Sequence, residues 1–260
     1  LAKVGGDTPE GRMIYTNFLD EDGGVHADLT ISRLGKDRYR VVTGGADGNR
    51  DWVTLRNYRD DNGLDAEIKI RTHDIATLGL WGPQAKNALG HFIDPNEISI
   101  ENFPFAAAKN LTLNLAEGKK IDVWASRISY VGESGWEIYL NNDSEEGLAL
   151  YDSLLEVGVV PVGIETYANS RRLEKSFRLQ GADLETEYNA CESAIERRLV
   201  KEADFHGKAA HLAHREEEPS AILCTMTIDD LNVSGSMRYP VGNSPIIDPT
   251  SGEVPIDIKG

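Results

Sequence analysis

The stretch Arg127 to Leu140, reading RISYVGESGWEIYL, limits the fold more than any other in the chain. Ile128 and Tyr130 flank Ser129. Beyond Gly132-Glu133-Ser134-Gly135, Trp136, Ile138 and Leu140 alternate with Glu137 and Tyr139. A period of two belongs to a strand with one buried face, so the segment predicts a β-hairpin that turns at 132–135. Glu137 stands between bulky apolar neighbours without a packing reason to be there. On a strand it points away from Trp136 and Ile138, toward water or toward a polar ligand.

The same patterning organises the rest of the chain. From Met13 to Thr43, MIYTNFL, VHADLTISRL and RYRVVT are separated by the turns 20–24 and 35–37, which predicts a three-stranded antiparallel meander. A helical stretch carrying Trp52 and Leu55 follows, then strands over AEIKIR and DIATLGLW, and a helix opened by Gly82-Pro83-Gln84-Ala85 with Pro83 at its first position. Asn142 to Glu146 supplies an N-cap and an acidic first turn for a helix through Leu148, Tyr151, Leu154 and Leu155, ending near Gly158. Further helices are expected over about 168–177, 191–201 and 207–214, and a strand over AILCTMTI. The charged run Arg215 to Pro219 reads as a linker, giving domains of 1–217 and 218–260, the second a small and incomplete β-domain. Strands and helices without strict βαβ alternation indicate the α+β class.

With 40% hydrophobic residues in 260, the chain can bury a full core. Its 27 basic against 43 acidic residues give a net charge of -16, which argues against nucleic acid and anionic membranes as partners. Cys191 and Cys224 are too few for a disulfide framework and suit a reducing compartment, the cytoplasm or a mitochondrial matrix. No apolar run approaches the roughly 20 residues that span a bilayer. The start at Leu1 and the end at IDIKG are those expected of a piece of a longer polypeptide.

Asp28 is the second carboxylate of interest. In Val25 to Ser32 the residues Val25, Ala27, Leu29 and Ile31 share one face, and His26, Asp28, Thr30 and Ser32 the other. By itself Asp28 reads as a solvated charge on an antiparallel strand. Other patterns fall away. Gly132-Glu133-Ser134-Gly135 lacks the second Gly of a nucleophile elbow, and Gly44 to Gly48 lacks dinucleotide-binding spacing. His206, His211 and His214 have no partner that completes a zinc site, so a surface helix is expected there and no metal.

Glu137 in its hairpin, Gly23-Gly24 with Asp28-Leu29, and the block Asn169-Ser170-Arg171-Arg172-Leu173-Glu174-Lys175 resemble the folate-binding aminomethyltransferase superfamily. That superfamily includes the glycine-cleavage T-protein and, more closely similar here, the C-terminal halves of dimethylglycine and sarcosine dehydrogenases. Gly82 to Ala85, Glu192 in NACESAIE and Asp204 to Lys208 add matches, so the resemblance covers about 11–214. Ala168 stands where T-proteins carry an Arg, and Ala190 replaces a usual Pro.

The resemblance implies a multi-subdomain fold around a central folate channel, followed by a truncated C-terminal β-domain. It implies tetrahydrofolate as cofactor, Asp28 and Tyr15 at the catalytic centre, and Glu137, Tyr130 and Arg172 in the folate site. Trp136, Tyr130 or Tyr167 would wall the pterin. The implied activity is capture of a one-carbon unit from an N-methylated glycine derivative, forming methylene-tetrahydrofolate. An FAD-dependent amine-oxidising domain, fused or partnered, would supply the donor. The alternatives are a glycine-cleavage aminomethyltransferase, which needs a lipoyl carrier protein, and a non-catalytic folate-binding protein of iron–sulfur maintenance.

Overall fold

A computed structural model describes residues 8–142, 144–197 and 200–227 and positions 247, 250 and 251. Strands β1 (Met13–Leu19), β2 (Val25–Gly35) and β3 (Arg38–Thr43) form the expected antiparallel meander in the order β1-β2-β3. Helix α1 (Gly48–Asp61) follows, tied back to β3 by the buried Asp51 carboxylate, which accepts bonds from the Thr43 hydroxyl and from Arg50 Nε.

The second sheet is also antiparallel and has the order β4-β7-β6-β5, from β4 (Ile75–Trp81), β5 (Ala108–Asn114), β6 (Lys120–Ser126) and β7 (Gly135–Asn141). One of its faces carries Leu111, Leu113, Ile121, Val123, Trp136, Ile138 and Leu140 into the main core. There it meets Leu89 of α2 (Ala85–Leu89), Phe92 to Phe103 of the following loops, and Leu150 and Leu154 of α3 (Ser144–Glu156). Trp136 is fully buried, tilted against Phe103 and covered by the Arg127 guanidinium, so it belongs to the core and is not a ligand wall.

The two sheets share no strand. Among the described residues their backbones meet at one corner, where Met13 N–H donates to Ala106 O (2.8 Å) and Ala108 N–H to Gly11 O (2.6 Å). Away from that corner side chains span the gap. The Arg40 guanidinium of β3 lies over the rings of Trp124 and Tyr139 in the second sheet.

Several expected elements take another form. The hairpin to β7 exists, but its first arm is β6, paired through Ser126 and Glu137, and residues 127–134 leave the sheet. Arg127 draws this loop aside by donating to Phe103 O (2.7 Å), and Tyr130 does so by donating to Arg178 O (2.7 Å). AEIKIR is not a strand: alternation needs a neighbouring strand to pair with, and among the described residues none pairs with it. The helix expected over 168–177 is a π-helix, Glu165–Arg171, running into the single turn α4 (Arg172–Glu174). Ser176 ends it at a φ of 59°, with Phe177 N–H bonded to Arg172 O and Ser176 N–H to Leu173 O, a Schellman closure without glycine.

The helix expected over 191–201 is one turn. Asn189 and Glu192 open it as a capping box, each side chain accepting the other's backbone N–H at 3.0 Å, and Ala194 closes it at a φ of 53°. Helix α5 (Lys208–Glu216) takes in the first two residues of the expected linker. It is not simply a surface helix, because His211 is fully buried. Residues 221–227 form no strand but are anchored through Leu223 N–H to Glu192 O (2.8 Å). The rest of the expected β-domain lies almost entirely outside the described residues. No described helix is long and apolar enough to cross a membrane, and no described cluster of His, Cys, Asp or Glu could hold a metal ion.

Candidate functional site

Residues directly opposite one another in an antiparallel pair share a face. In the first sheet Tyr15 lies opposite Thr30, Asn17 opposite Asp28, and Arg40 opposite Ser32, so Tyr15, Asp28 and Arg40 occupy one face. Val25, Ala27 and Leu29 are buried on the other. In the second sheet Glu137 lies opposite Gly79 and Ser126, and Tyr139 opposite Thr77 and Trp124, on the face turned away from the main core. The stacking of Arg40 on Trp124 and Tyr139 shows that these two faces confront each other. Asp28 and Glu137 therefore line one cleft from opposite sheets.

Burial is the largest influence on both carboxyls and raises both pKa values. At Asp28 a hydrogen bond from Tyr15 Oη (3.2 Å) opposes the rise, while the charges of Asp47 and Asp51 add to it. Glu137 Oε2 accepts from Tyr139 Oη, which likewise favours the ionised form, and Oε1 has no donor among the described residues. Tyr15 and Tyr139 are held well above the ordinary tyrosine value, by burial first and then by the carboxylate each one faces.

Tyr167, on the π-helix, marks where the two halves meet. Its pKa is pushed up to about 12 by burial, then by the charges of Glu137 and Asp28 together. Its ring stacks on Trp81 (5.4 Å between centres, 23° between planes) and tilts against Tyr130 at the same distance, and Tyr130 in turn stacks on Phe177. Trp81 reaches this position because residue 79 is glycine. A Cβ on Gly79 would lie 2.1 Å from the indole ring, so the ring lies across the strand beside Glu137, fixed by Nε1 donating to Ile128 O (2.8 Å).

The GCVT N-terminal domain model matches residues 3–202. The chain belongs to the GCVT N-terminal domain family. The chain is 31% identical over 252 residues to human mitochondrial dimethylglycine dehydrogenase, a match that covers 94% of the chain and 28% of that relative. It is 31% identical over 238 residues to the aminomethyltransferase of Symbiobacterium thermophilum, covering 89% of the chain and 61% of the relative. The chain thus spans less than two thirds of either relative, and both relatives are enzymes. In fold it resembles the glycine cleavage system aminomethyltransferase T from Bartonella henselae, with a TM-score of 0.66 and 24% identity over 83% of the chain and 56% of that structure.

Within this GCVT domain, Tyr15, Asp28, Tyr130 and Glu137 lie on the confronting faces or beside Tyr167 between them. Arg172 sits behind them. It is buried, ion-paired with Asp183, and donates to Ala168 O (2.6 Å) and Phe177 O (3.1 Å), which clasps the end of the π-helix to the loop carrying Phe177. Its positive charge reaches Tyr130, whose pKa burial pushes up to about 12 against that pull.

Tyr139, Trp81 and Arg40 line the same gap and are not singled out by the sequence alone. Each had a signal: Tyr139 shares Glu137's side of the alternation, Gly79 interrupts a strand two residues before Trp81, and Arg40 interrupts the apolar run of β3. Glu192, matched by resemblance alone, is explained by its capping box.

Proposed function

We propose that the chain binds tetrahydrofolate between its two sheets and captures a one-carbon unit from an N-methylated glycine derivative, giving methylene-tetrahydrofolate. The observation that carries this reading is the pair of half-buried carboxyls on facing sheets, one with an oxygen that has no donor among the described residues, beside a wall of stacked aromatic rings. The residues suit the cofactor. A pterin is flat and presents an amino group beside a ring N–H, and a carboxylate accepts such a pair in two parallel bonds. Glu137, oriented by Tyr139, has the free oxygen for it, and Trp81, Tyr167 and Tyr130 provide flat apolar surface.

Reduced folate, when bound, would supply the amine nucleophile that takes the methylene carbon from an iminium donor, whose demethylated amine leaves as its bond to that carbon breaks. Asp28 would stabilise the cationic donor and take the amine proton, a role suited to a carboxyl whose proton affinity burial raises above the ordinary value. Tyr15 holds the Asp28 carboxylate in place through its hydroxyl. Arg172 positions the π-helix that carries Tyr167. Oxidation of the methylated amine belongs to an FAD domain outside this chain, in the cytoplasm or a mitochondrial matrix.

A glycine-cleavage aminomethyltransferase is the second reading, supported by the identity to the Symbiobacterium protein. Ala168, in the place of that family's Arg, favours the first. Calorimetry tests the shared core of both: Glu137→Gln should weaken tetrahydrofolate binding by about 1.5–3 kcal/mol, the worth of hydrogen bonds to a charged group. An unchanged dissociation constant in a folded variant would remove Glu137 from the site.

A further inference from the structure

Arg40 lies on the cleft face of the first sheet, its guanidinium carbon 5.2 Å from the Tyr139 ring centre and 5.4 Å from that of Trp124. The rings hold the cation by their faces. Its Nη1 is buried and donates to nothing, and no carboxylate pairs with it among the described residues. The nearby full charges that act on it are those of Arg38 and Arg71, both repulsive. In a chain with 43 acidic residues against 27 basic ones, a half-buried arginine among arginines is the reverse of what chance pairing gives. A buried donor without a partner costs more than an ordinary hydrogen bond gains, so such a group is retained where something else satisfies it.

We infer that Arg40 receives the carboxylate of a small molecule bound in the cleft. The inference rests on the folate reading above, which places two carboxylate-bearing molecules there, the glutamate tail of the folate and the methylated glycine itself. A guanidinium fork matches a carboxylate through two parallel bonds, and the Arg38 charge adds to the attraction for an anion, while Arg71 is ion-paired with Asp74.

Calorimetry on the full-length protein with two matched pairs tests this and identifies the source. One pair is tetrahydrofolate and the methylamide of tetrahydropteroic acid, which keeps the benzoyl ring but has no carboxylate; the other is N,N-dimethylglycine and trimethylamine, which lacks the carboxylate. The wild type should prefer the carboxylate-bearing member of one pair by about tenfold or more. Arg40→Gln should abolish that preference, and Arg40→Lys should keep part of it. A preference that Arg40→Gln removes assigns Arg40 to the folate tail if it is in the first pair, and to the glycine donor if it is in the second. Absence of preference in both pairs overturns the inference without any variant being needed. So does an Arg40→Gln protein that melts earlier yet keeps the preference, because Arg40 is then a packing residue only. If neither pteridine binds the wild type, the folate reading fails separately, and the second pair still decides Arg40.

Discussion

Asp28 and Glu137 are chemically similar and are set different tasks by their neighbours. Each is bonded to one tyrosine and raised first by burial, but Glu137 has an oxygen without a donor among the described residues, whereas Asp28 also feels the charges of Asp47 and Asp51, which add to its proton affinity. A group that acts on developing charge contributes more to the transition state than to binding. Asp28→Ala should therefore lower the rate of methylene-tetrahydrofolate formation by about 100-fold or more, the range for a lost acid–base group, while tetrahydrofolate affinity changes little. Stopped-flow rates and calorimetry on the same variant separate the two. A wild-type rate would reduce Asp28 to a strand charge.

At the scale of the elements, β4 decides where the aromatic wall stands. Gly79→Ala places a methyl group within the volume of the Trp81 ring, so the ring must move, losing its bond to Ile128 and its stack on Tyr167. Overpacking of this kind costs about 1–3 kcal/mol in urea unfolding, and the cost should largely vanish when Trp81 is already leucine. The strands were the legible part of the fold, because β2 and β7 turn one face of apolar residues into a core and the other, more polar face toward the opposite sheet, which a period of two records directly. The stretch 165–177 was legible only as helical. Its widened turn depends on contacts such as Arg172 with Asp183, eleven residues further along the chain, and its end on a serine at positive φ, which no turn residue announces. AEIKIR failed for the opposite reason: the pattern was present and the partner was not. At the site, single residues on a polar face were readable, whereas Arg40 required knowledge of which sheet faces which.

Across the whole molecule the two raised carboxyls link folding to pH. A folded-state pKa above the unfolded value means that the native state binds more protons, so stability is greatest below the ordinary carboxyl value of about 4 and is lost as pH rises through the raised values. The many surface acids also titrate, so the useful measurement is a difference. The double variant Asp28→Asn, Glu137→Gln should show a flatter loss of melting temperature between mildly acidic and neutral pH than the wild type. Parallel curves would show that neither carboxyl titrates above the unfolded value.

The two sheets are joined backbone to backbone at the corner formed by Gly11 to Met13 and Ala106 to Ala108, and elsewhere by side chains. They resemble the boards of a book bound along a short spine. The spine is fixed by hydrogen-bond lengths, but the distance between the boards is set by the girth of residues such as Arg40, Tyr139 and Trp124. Substitutions at those positions can widen or narrow the opening while both ladders stay intact, so the scaffold can be refitted to a thicker or thinner guest without being refolded.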